Sequence, residues 1–125
     1  MSKILLSINP EYAIQIIEGK KKYEFRKRVA KRKVDTIVIY CTSPVKKILG
    51  EVRVRSVISD KPQNLWKRTK KFAGIKKKDF DHYFKGNSIA YAYELEEVQV
   101  FDIPKELSDY GVHIAPQSFI YLDEQ

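Results

Sequence analysis

Residues 3–8, KILLSI, form a short and almost unbroken apolar run, which predicts a first strand. Asn9 and Pro10 then supply a helix start, and Ala13, Ile14, Ile16 and Ile17 an apolar stripe that Gly19 ends, so the first helix is expected over 10–18. From 21 to 26 the spacing changes to two. Tyr23 and Phe25 fall on one face, and Lys22, Glu24 and Arg26 on the other, as in a strand with its aromatics inward and its charges in solvent or a cleft. TIVIYCT (36–42) reads as a third strand, and KKILGEVRVRSVIS (46–59) as a fourth, with Gly50 marking a bulge.

Helical spacing returns at Pro62–Lys71, where Leu65, Trp66 and Thr69 share a face, and Gly74 closes the segment. KKDFDHYF (77–84) gathers Phe80, Tyr83 and Phe84 on one helical side before the stop at Lys85-Gly86-Asn87. Two further strand-like runs follow, SIAYAYEL and EEVQVFDI, and QSFIYL reads as the last strand. About six strands with about three helices between them predict an α+β fold around a small, mainly antiparallel barrel. With 125 residues, and neither repeat nor linker, residues 1–125 are expected to form a single domain.

Charge changes the picture once it is located. Residues 20–33 hold nine basic side chains and one acid, leaving 15 of the 24 basic residues and 15 of the 16 acidic ones elsewhere, so the net charge of +8 resides in this one segment. A basic cluster on an otherwise neutral chain is the footprint of a polyanion partner. No apolar run is long enough to span a bilayer, and the N-terminal residues lack a signal-peptide pattern, so a cytoplasmic protein without membrane contact is expected.

Several chemistries lack support. There is no phosphate-cradling glycine loop, HExxH or CxxC, and neither His82 nor His113 has a nearby cluster of Asp, Glu or Cys at ligand spacing. Neither a metal nor a cofactor is expected. Cys41, the only cysteine, sits in a strand and reads as a core thiol, while Ser7, Thr42, Ser43 and Ser118 read as ordinary strand and turn hydroxyls. The informative stretch is Gly19 to Arg26. There Glu24 and Arg26 share a strand face, so the carboxylate can fix the guanidinium for a phosphate or base edge, or accept a hydrogen bond from a base amine itself.

These residues resemble the ASCH family of the PUA-like superfamily, through a GxKxxExR pattern met by Gly19, Lys21, Glu24 and Arg26 and through the preceding LSINPEYAIQIIEG. More loosely, TSPVKKILGEVRV, LWKRTKKFAGI and APQSFIYL are similar too. The resemblance implies a PUA-like barrel of five or six strands flanked by helices, with a cleft beside the first helix for RNA or a modified nucleobase. It also implies two activities, hydrolysis of acetylated cytidine by a Lys, Thr and Glu set, and ribonuclease action. Lys21 matches that lysine, but Glu24 stands where the threonine belongs, and KKFAGI offers no match to the glutamate.

Two main readings follow. In the first, the chain is a nucleic-acid-binding module, RNA ahead of DNA. Lys20, Lys21, Lys22, Arg26, Lys27, Arg28, Lys31, Arg32 and Lys33 meet phosphates, Glu24 and Arg26 read a base, and a ring among Tyr12, Tyr40, Trp66 and Tyr91 stacks on it. In the second it is a small enzyme on RNA or a nucleoside, with Lys21 and Glu24 catalytic and Arg26 orienting substrate. A weaker third reading is a regulator that binds an acidic protein through the same patch.

Overall fold

The computed structural model describes residues 2–122. Six strands alternate with three helices: β1 (Lys3–Ile8), α1 (Pro10–Ile17), β2 (Tyr23–Arg26), β3 (Thr36–Cys41), β4 (Lys47–Asp60), α2 (Pro62–Thr69), α3 (Lys77–Phe84), β5 (Ala90–Lys105) and β6 (Phe119–Leu122). The strands make one sheet in the order β2-β5-β4-β3-β1-β6, curled into a half-barrel with the helices around it, which is the expected α+β architecture.

Neighbours run antiparallel except β1 and β3, which pair in parallel from Lys3↔Thr36 to Ile8↔Cys41. A parallel pair requires a crossover, and α1 with β2 supplies it. This central pair is covered on both faces, which is why its sequence reads as continuous apolar runs. Ile4, Leu6 and Ile8 enter one core with Ile16, Ile37, Ile39 and Val52, while Leu5 and Val38 enter another with Tyr40 and Ile48.

The bulge at Gly50 is present: register shifts between Ile48 and Gly50, and a Cβ on Gly50 would collide with the Gln99 carbonyl oxygen. The two late strand-like runs are a single strand, β5. Glu97 takes a positive φ of 51° within it, and its pairing with β4 shifts register near that point without ending the ladder. A third core joins the helices to β2. Phe25 meets Phe80 edge-on at 5.1 Å between centroids, and Leu65, Ala73, Phe84, Ala90 and Ala92 complete the buried cluster. Cys41 is buried, and burial pushes its thiol pKa up, as befits a core thiol. Among the described residues, no helix is long and apolar enough to cross a membrane.

Candidate nucleic-acid cleft

Gly19 leaves α1 at φ 77°, and the backbone N–H groups of Lys20 and Lys21 both return to the Gln15 carbonyl. The chain is thereby turned inward. Lys22 donates its N–H to the Phe72 carbonyl and accepts from the Leu95 N–H, so the segment before β2 is strapped on both sides. Lys21, between these anchors, is only 3% exposed. Its Nζ donates to the Ala73 carbonyl at 2.5 Å and lies 4.8 Å from the Phe25 ring centroid and 5.1 Å from that of Tyr12. Gly74 closes over the lysine stem. It holds φ 65°, and a Cβ there would lie 2.6 Å from Lys21 Cγ.

Glu24 and Arg26 share a face of β2, as their spacing requires. Arg26 donates from Nη2 at 2.7 Å and from Nε at 3.1 Å, both to Oε2 of Glu24, and a further Nη2 bond reaches the Ser7 carbonyl at 2.8 Å. Both groups are largely withdrawn from solvent, which strengthens their attraction and makes the pair costly to break. Burial lowers the Lys21 pKa to about 8; Glu24 and Glu11 pull it up and Arg26 pushes it down, but desolvation is the largest effect. The Tyr12 pKa is raised, first by burial and then by Glu11.

These side chains line an open cleft of about 550 Å³. Lys21, Glu24, Phe25 and Arg26 form one part of its wall, Ser7, Tyr12 and Thr42 another, and Asp79, His82 and Tyr83 of α3 face them. Of the residues singled out from sequence, the fold therefore brings Lys21, Glu24, Arg26 and Tyr12 together. Lys20, Lys22, Lys27, Arg28, Lys31, Arg32 and Lys33 are exposed and lie outside that lining. Lys27 Nζ sits 4.9 Å from the ring centroid of Tyr83, a cleft residue, so the part of the basic segment that lies outside the lining adjoins the cleft at Lys27.

The rest of that segment is held by tyrosine hydroxyls. Tyr93 Oη accepts from the Ala30 N–H at 2.9 Å and Tyr121 Oη from the Arg32 N–H at 3.1 Å, while the Arg32 guanidinium lies 4.2 Å from the Tyr121 ring centroid. Trp66 packs on Phe80 with centroids 5.0 Å apart, and Tyr40 is buried in the core with Leu5 and Val38, so neither belongs to the cleft wall.

Sequence reasoning passed over Asp79, His82 and Tyr83, and over Ser7 and Thr42, as site residues. Ser7 Oγ donates to the Pro116 carbonyl at 2.7 Å. One signal was available: α3 carries Asp79, His82 and Tyr83 at helical spacing, beside the apolar stripe of Phe80 and Phe84.

Comparison with known proteins agrees with this frame. A family model described as the ASCH domain matches residues 6–105. The large ribosomal subunit protein uL22 of Ureaplasma parvum serovar 3 is 32% identical over 120 residues, which are 95% of this chain and 39% of that protein. The chain thus spans about two fifths of that relative's length. An ASCH domain-containing ribonuclease of Zymomonas mobilis is 32% identical over 96 residues, 76% of this chain and 65% of the relative. The crystal structure of ASCH from Zymomonas mobilis superposes with a TM-score of 0.89 at 29% identity, covering 98% of this chain and 88% of that one.

Proposed function

Because the chain belongs to the ASCH domain family, we propose that residues 1–125 are a single RNA-binding domain that holds phosphates on residues 20–33 and admits a base to the cleft. The observation that carries this reading is the placement of charge. The net charge of the chain lies in one segment, residues 20–33, which supplies Lys21, Glu24 and Arg26 to the cleft lining and continues past it at Lys27, against the ring of the lining residue Tyr83.

The cleft and the segment suit different parts of one ligand. Three carboxylates, of Glu11, Glu24 and Asp79, outnumber the two cations Lys21 and Arg26 in the lining. Phosphate is better placed outside, on Lys27, Arg28, Lys31, Arg32 and Lys33. A neutral base suits the interior, where Tyr12 and Tyr83 offer ring faces and the Glu24 carboxylate an acceptor for an exocyclic amine. Both Arg26 bonds fall on Oε2, and neither engages Oε1.

The test is titration of single-stranded RNA at several salt concentrations. Replacing Lys31, Arg32 and Lys33 by alanine is expected to weaken binding at every sequence and to lower the salt slope by about one for each phosphate left without its cation. An unchanged slope would remove the segment from the interface.

A second reading, catalysis on RNA, is favoured by the relative named a ribonuclease and by the buried Lys21 amine beside Glu24. Under it, Glu24→Gln retains RNA but does not change it, whereas wild-type protein releases shortened or altered material. Undiminished turnover in the variant would take Glu24 out of that role.

A further inference from the structure

The unusual group in the cleft is a lysine with no acid attached. Among the described ion pairs, Glu24 goes to Arg26 and Lys21 takes none; its one hydrogen bond is to a neutral carbonyl, that of Ala73. A neutral amine keeps that bond with an N–H and leaves its lone pair unused. The side chain is also fixed in place, wedged by the Tyr12 and Phe25 rings and pressed by Gly74 along its stem. Lys21 is moreover the one lysine among the residues that line the cleft. A desolvated, positioned amine with a free lone pair is the equipment of a carbonyl-capturing lysine.

Resting on the reading of the cleft as a nucleic-acid pocket, we propose that Lys21 forms an imine with the ring-opened sugar of an abasic nucleotide. Nζ attacks the C1′ aldehyde carbon. The new C–N bond forms as the carbonyl π pair moves to oxygen, and the nitrogen sheds a proton that the Glu24 carboxylate, in the same wall, accepts. The alkoxide takes that proton from Glu24 and becomes the carbinolamine hydroxyl. The second nitrogen proton passes by the same carboxylate to the hydroxyl, which leaves as water while the nitrogen electron pair closes the C=N bond, so amine and aldehyde yield imine and water with no oxidant or reductant. With its ordinary proton affinity lowered by burial, about one lysine in ten is neutral at pH 7.

The surrounding charge selects the class of aldehyde. Carboxylates outnumber cations in the cleft, so a small aldehyde that carries its own phosphate inside is disfavoured. An abasic nucleotide presents an uncharged sugar to the interior while its flanking phosphates stay outside, against Lys27 and Arg28. The loss of the base also leaves room for the sugar to approach Lys21 in the cleft wall.

The experiment mixes the full chain with labelled single strands that each contain one abasic site, in a DNA series and an RNA series, with sodium cyanoborohydride present. Adducts are separated on denaturing gels and mapped by peptide mass. A covalent band in either series, with the mass on Lys21, supports the proposal, and Lys21→Arg is expected to reduce it to the level of an intact strand. Absence of an adduct in both series overturns it. So does an adduct carried by Lys20, Lys22 or Lys31 instead. Peptide mapping of the wild-type adduct gives this answer even if the variant folds poorly. Binding of intact RNA is measured on the same samples: retained binding without capture sinks the imine alone, and loss of both sinks the RNA reading with it.

Discussion

Lys21 makes pH a reporter of its own burial. Its folded pKa is near 8 and its ordinary value 10.5, so at neutral pH the native state holds a cation that water would solvate better. Between pH 8 and 10.5 the unfolded chain keeps more protons than the folded one, and stability rises with pH through that window, by at most about 3 kcal/mol from this group. Below pH 8 both states are protonated and the penalty stands in full. Lys21→Met keeps an unbranched stem and removes the charge. The difference in melting temperature between variant and wild type is therefore expected to favour the variant at pH 7 and to shrink as pH approaches 10, which melts at matched pH values check. Gly74→Ala is the complementary probe. Its Cβ would strike the lysine stem at a positive φ, so a loss of about 1–3 kcal/mol and displacement of the amine are expected, read by denaturant unfolding and by the NMR shift of the lysine.

The elements show which signals survive in one dimension. α1 and α3 fall at or within one residue of their expected ends, because Asn9-Pro10, Gly19 and Gly86 act locally and need no tertiary partner. The division of β5 into two runs had an equally local cause, for Glu96 and Glu97 interrupt the apolar alternation while the backbone carries on through a bulge. Lys21, Glu24 and Arg26 were legible because they lie within six residues of one another. The other half of the cleft was not: Ala73 binds a lysine 52 positions away, and α3 faces it only because Phe80 packs on Phe25. At this scale residues 27–33 form a loop tied to the sheet through the Ala30 and Arg32 amides. Tyr121→Phe deletes the hydroxyl that receives the Arg32 amide, and faster hydrogen exchange at residues 31–33 is expected for a stability loss of about 0.5–1.5 kcal/mol. Unaltered exchange would mean that other interactions hold the loop.

Across the whole molecule, the proposed RNA binding assigns phosphates to the exposed basic residues and a neutral base to a cleft in which carboxylates outnumber cations. Glu11 and Asp79 are exposed in the lining and repel any phosphate that approaches it. Glu11→Gln with Asp79→Asn is expected to tighten binding of an RNA strand by at most about 1 kcal/mol at low salt, with the gain fading as salt rises. A decrease in affinity would show instead that these acids touch the ligand. Curling the sheet also leaves β2 at one edge, paired only with β5, and Arg26 reaches across from it to the Ser7 carbonyl on β1. That edge is four residues long and carries an inward-pointing ion pair, a poor template for another strand to extend. Protection against edge-to-edge aggregation and the chemistry of the cleft therefore draw on the same two side chains, and a variant that neutralises Glu24 or Arg26 exposes a sticky margin as well as an altered site.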